Sequence, residues 1–130
     1  MTQAMHTNRP TSEELATIRD SILLPMMLTM VQRNYDLISN DRNPLKSLFV
    51  GTTQILMDRI HADLAAVKKS LHASNIKVVE SDRPADVIIY YKFICRGYED
   101  HFGMTRDVVK SEIGMRLGKY VRSLENALNK

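Results

Sequence analysis

The sequence predicts an α+β fold in the order α-α-β-β-α: a long helical hairpin, then a β-hairpin covered by a C-terminal helix. Three observations carry this reading. Apolar residues recur at threes and fours over residues 11–73 and again over 106–128, as helices that bury one face require. Between them, residues 76–80 and 86–96 alternate with period two and are rich in β-branched and aromatic side chains. The 130 residues are 44% hydrophobic and 25% charged, proportions ordinary for one globular domain. No repeat or Gly/Ser linker divides them. Residues 1–10 therefore read as a flexible tail and 11–130 as a single domain.

The first helix starts at TSEE, a capping box in which Thr11 accepts from the amide of Glu14 and Glu14 reaches back. Its stripe runs through Leu15, Ile18, Ile22, Met26 and Met30. Pro25 lacks an N–H and collides with the carbonyl of Ser21, which predicts a kink or a break near 21–25. After the polar turn SNDRNP, Asn43 and Pro44 form an N-cap and first-turn pair for a second helix. Leu45, Leu48, Phe49, Leu56, Ile60, Leu64, Val67 and Leu71 mark its buried face to about residue 73. At 1.5 Å per residue that helix spans roughly 45 Å, long for a domain whose radius of gyration is about 14 Å. Either the first helix folds back along it, or a second subunit covers the remainder.

The strands IKVVE and DVIIYYKFICR follow, joined by turn residues SDRPAD. Alternation in the second strand places Val87, Ile89, Tyr91, Phe93 and Cys95 on a core face and Ile88, Tyr90, Lys92, Ile94 and Arg96 on a mixed one. GYEDHFG reads as a loop. Thr105 then caps a last helix over about 106–128, with Val109, Ile113, Leu117, Tyr120, Val121, Leu124 and Leu128 inward. Two strands make a marginal sheet with an adhesive edge, so sheet and long helices alike predict a homodimer.

Several functional classes are excluded. The apolar run SILLPMMLTMV at 21–31 is about half the roughly 20 residues a bilayer needs, and Arg19, Asp20 and Arg33 bound it. The first twenty residues are too polar for a signal peptide. A lone cysteine, Cys95, makes no internal bridge, which points to the cytoplasm. Five scattered glycines form no phosphate-cradling loop. Asp58, His61 and Asp63 lack the further ligands that complete a metal site, so neither cofactor nor metal is expected. Cys95 and His101 would be the raw material of a thiol enzyme or redox sensor, but Cys95 falls on the apolar face of its strand.

Two surfaces remain. Residues 66–130 carry twelve Lys/Arg against eight Asp/Glu, a net +4, whereas residues 1–65 stand at six against seven, a net −1. Tyr90, Lys92 and Arg96, with Arg116, Lys119 and Arg122 on the last helix, could supply the stacking and charge of a nucleic-acid surface. Helical spacing disperses those charges and no nucleic-acid motif accompanies them. Leu23, Met26, Met27 and Met30 make the first helix apolar nearly all round, so that two faces need covering. Gly114 and Gly118, one turn apart, suggest close approach of another backbone. These six define a predicted interaction surface. The sequence thus predicts a small, non-catalytic, cytoplasmic protein of regulatory type that acts through a protein partner, with a nucleic-acid regulator and a thiol enzyme or redox sensor at Cys95 and His101 as the alternatives.

Overall fold

The structure is a computed structural model and describes residues 8–80 and 88–129. Three helices and three strands follow in the order α-α-β-β-β-α: α1 Ser12–Ser39, α2 Lys46–Ala73, β1 Ile76–Glu80, β2 Ile88–Cys95, β3 Tyr98–Thr105 and α3 Arg106–Leu128. The α+β class, the helical hairpin and the C-terminal helix are those the sequence predicts. The turn SDRPAD and Val87 lie outside the described residues.

Local chemistry explains most boundaries. At Thr11 both arms of the capping box are made: the Glu14 amide donates to Thr11 Oγ1 at 3.1 Å and the Thr11 amide to Glu14 Oε1 at 2.9 Å. Helix α1 then runs through Pro25, so of the kink or break expected there, the break into two helices does not occur. The helix α2 begins two residues later than Asn43 and Pro44 suggest. Asn43 instead accepts the Leu45 amide at 2.8 Å and closes a turn before the helix. At its end Asn75 adopts φ 57°, the left-handed conformation asparagine tolerates, and its amide returns to the His72 carbonyl. The helix α3 is capped as expected, with the Val108 amide on Thr105 Oγ1.

The segment read as a loop is a strand. GYEDHFG contributes most of β3, which pairs antiparallel with β2 from Cys95↔Tyr98 to Ile88↔Thr105. The connection is a two-residue turn, Arg96–Gly97, with both residues at positive φ (50° and 89°), the type I′ geometry that matches hairpin twist. Tyr98, Phe102 and Met104 alternate inward, and Phe102 lies 6.3 Å from both Tyr91 and Phe93. A further constraint sits at Gly103, where a β-carbon would come within 2.7 Å of Ile88 Cγ2. The strand order β1-β2-β3 leaves β1 and β3 as edges.

The inner face of the sheet packs on the helical hairpin. Ile76, Phe93, Cys95 and Met104 join Ile18, Leu23, Met27, Ile60 and Ile113 in one core cluster. Arg96 fastens the layers. Its Nη1 donates to Glu14 Oε2 at 3.1 Å and to the Ser74 carbonyl at 2.9 Å, and its Nη2 to Glu14 Oε1 and the Arg9 carbonyl, both at 3.0 Å. Its backbone amide also donates to the Asn75 carbonyl at 2.9 Å. Replacing Arg96 by leucine is therefore expected to lower the urea midpoint with an unchanged slope. Arg96→Lys should recover only part of the loss, because an ammonium cannot reproduce the planar fork. Equal midpoints for all three proteins would show that the clamp contributes nothing.

Candidate interaction surfaces

The six residues of the predicted interaction surface are scattered by the fold. Leu23 and Met27 are 0% exposed, enclosed by this chain alone. The second cover that α1 needs comes from α3 and the sheet, and Ile22, Leu23 and Leu24 are consecutive buried residues for that reason. Met26 is half-buried against the same core, while Met30 stays exposed. Gly114 and Gly118 face no backbone: a β-carbon at Gly114 would meet nothing within 4 Å, and one at Gly118 only the Arg122 guanidinium at 3.9 Å.

The six candidate nucleic-acid residues separate as well. Arg96 is engaged by Glu14. Arg116 donates to Asp20 Oδ1 at 2.9 Å and to Glu112 Oε1 at 2.7 Å, which ties α3 to α1. Lys119 and Arg122 line a shallow depression with Arg59 and Ser123, and the Arg59 guanidinium donates to Ser123 Oγ at 2.7 Å. Tyr90 and Lys92 occupy the sheet face turned away from the helices, with Lys92 opposite His101. The stacking residues and the helix cations therefore lie on different surfaces.

Cys95 and His101 are not brought together. Cys95 is 0% exposed and pairs with Tyr98 on the core side, whereas His101 pairs with Lys92 and is exposed on the other. Burial pushes the Cys95 thiol up from its ordinary value, the opposite of what an activated nucleophile needs. Of the carboxylates considered for metal, Asp63 accepts the Tyr120 hydroxyl, and Asp58 accepts the Gln54 amide at 2.9 Å. Burial and that bond to Asp63 raise the Tyr120 phenol above its usual range, which fits a structural strut between α2 and α3.

The surface that sequence reasoning missed is the far end of the helical hairpin. Every fully buried residue of α1 lies between Ile18 and Val31, and every one of α2 between Met57 and Leu71. Beyond them Leu37 is 67% exposed, Leu48 58%, Leu45 55% and Ile55 49%. Leu48 and Ile55 are two turns apart on α2, on the flank along which Arg59 meets α3. Leu128, at the end of α3, is exposed as well. The stripe was visible in the sequence, but where its cover ends was not.

Fold and surfaces together define a small helical-hairpin α+β protein, pinned by ion pairs at one end and bare of cover at the other. The chain belongs to the YhjD protein family, whose profile matches residues 9–125. No curated protein and no solved structure matches it. No helix among the described residues is long and apolar enough to cross a membrane.

Two outcomes follow for the titratable groups. The Arg96 guanidinium, hydrogen-bonded to Glu14, holds that carboxyl below its ordinary 4.5, and Arg116 does the same for Glu112. A carboxyl whose pKa is lowered by folding stabilises the fold above its unfolded pKa, and that stabilisation is lost as pH falls through the folded value. The urea midpoint should therefore decline below about pH 4.5, and Glu14→Gln should flatten part of that decline. Native Cys95 should react with an aromatic disulfide about a hundredfold or more slowly than the unfolded thiol. Equal rates would place the thiol at the surface.

Proposed function

We propose that the protein works by macromolecular association rather than catalysis, and that it does so as a homodimer joined through the hairpin end. The observation that carries this reading is the concentration of exposed Leu37, Leu45, Leu48, Phe49 and Ile55 on residues 37–55. Two such ends face to face would bury on the order of 1,000 Å², near the lower bound for a specific interface. The product is a four-helix bundle, in which each hairpin supplies the cover that the other lacks. Charge permits it: residues 32–56 contain Arg33, Arg42 and Lys46 against Asp36 and Asp41, so two copies meet with little repulsion. A cytoplasmic location and a regulatory role are the setting in which we place this dimer.

Light-scattering mass tests the reading. The wild-type protein should elute as a dimer, and Leu48→Glu with Ile55→Glu should yield a monomer. Its unfolding should stay two-state, because exposed substitutions perturb a monomer by only about 0.5 kcal/mol. Met27→Asp would be uninformative, since a charge at that enclosed position unfolds the core. A wild-type monomer at the highest soluble concentration would overturn the dimer.

A further inference from the structure

We propose that a groove beside β1 binds an extended acidic peptide segment of a partner protein, which adds to the sheet as a fourth strand. The groove has a volume of about 780 Å³ and lies between α1, the end of α2 and the free edge of β1, away from the hairpin end. Its size falls in the range of ordinary ligand sites. The proposal does not depend on the dimer.

Backbone parity supplies the first argument. A two-residue hairpin turn closes on a hydrogen-bonded pair, so Cys95 directs its amide groups to Tyr98 and away from Ile76. The bond from the Arg96 amide to the Asn75 carbonyl gives the same phase independently. Ile76 and Val78 therefore aim their N–H and C=O groups outward from the sheet. Among the described residues no strand pairs with them. An extended chain laid along that edge satisfies them by strand addition.

Side chains and charge identify the occupant. Inward-pointing residues of the added strand would meet Ile22, Pro25, Met26 and Leu71, which calls for apolar side chains. The rim carries Lys68, His72 and Lys77, and among the described residues no carboxylate lines the groove. Lys77 is exposed and on the outward face of β1, where a neighbouring strand would place its alternate residues. Opposite charges across paired strands are stabilising and like charges are not. The matching ligand alternates apolar with acidic residues. A second copy fits poorly. Pairing β1 with β1 would gather the lysines of both copies, and presenting β3 would bring a whole sheet and its helices against the α1 wall. A single strand has no such bulk.

A labelled short peptide alternating valine with glutamate is the probe, with fluorescence anisotropy as the readout. Saturable binding is expected, weakened about tenfold or more by Lys77→Glu and abolished when glutamate is replaced by lysine in the peptide. N-methylation of the amides on one edge of the peptide should abolish binding, whereas methylation of the alternate amides should spare it. That comparison leaves the protein untouched, so misfolding cannot mimic it. Repeating it in the Leu48→Glu, Ile55→Glu protein separates the groove from the dimer, and unchanged affinity is expected. Equal binding of a scrambled peptide, indifference to both methylation patterns or absence of saturable binding would each overturn the proposal.

Discussion

The fold depends on one ionic clamp, the fork between Arg96 and Glu14. Glu14 is already the third helical residue of the capping box, so the carboxylate that starts α1 also receives the guanidinium from the β2–β3 turn. The same guanidinium donates to carbonyls at Arg9 and Ser74, before α1 and after α2. Three chain segments far apart in sequence are thereby held at one corner. Arginine suits this place because its planar fork engages a carboxylate bidentately while other donors remain for backbone oxygens. The positive φ of Arg96 is uncommon for a bulky residue. It holds here because side chain, backbone amide and turn type all require it, and the inner face of the sheet is thereby oriented onto the hairpin.

A second set of ties decides where the core ends. Arg116 on Asp20, Tyr120 on Asp63 and Arg59 on Ser123 run in order along α3, so that α3 lies in the crevice between α1 and α2. Each tie brings apolar neighbours with it, among them Leu24 and Val67 along the same crevice. Truncating a buried leucine such as Leu23 would cost about 2–5 kcal/mol, so the proximal half is where stability resides. The distal half of the hairpin has no such burial. Isolated helices of about a dozen residues are marginal in water, and these are helical because they extend turns already fixed. Its leucines are therefore bare without being loose.

How much of this was legible follows from which signals are local. The capping box at Thr11, the cap at Thr105 and the core face of β2 from Ile89 to Cys95 depend on neighbours in sequence, and each is present in the structure as read. The strand β3 was not legible because Arg–Gly is not among the favoured type I′ pairs. Asp100 also interrupts the apolar alternation, and it turns to its own strand by accepting the Tyr98 hydroxyl at 3.1 Å. Helix α1 gave half an answer: a surface apolar all round needs two covers, but only tertiary structure shows that α3 is the second. For the candidate sites the loss was greater. Arg96 read as a free cation, and the tie of Arg116 to α1 was invisible, because the carboxylates concerned, Glu14 and Asp20, are more than eighty residues away.

That long-range pairing also changes what the charge asymmetry means. The sequence divides into a half at −1 and a half at +4, which resembles a basic surface awaiting an anion. Folding sets the two halves against each other: Glu14 and Asp20 belong to the first half, Arg96 and Arg116 to the second. Ion pairs between the halves cancel part of the excess at the core boundary, where burial makes unpaired charge costly. Among the described residues, some cations carry no such ion pair. Lys68 and Lys77 beside the free edge of β1 are two of them, and there the charge adjoins both an apolar floor and outward-facing amide groups. Charge alone would attract any anion and an apolar floor alone any hydrophobe. Set beside an open strand edge, the two select an extended chain that alternates between them.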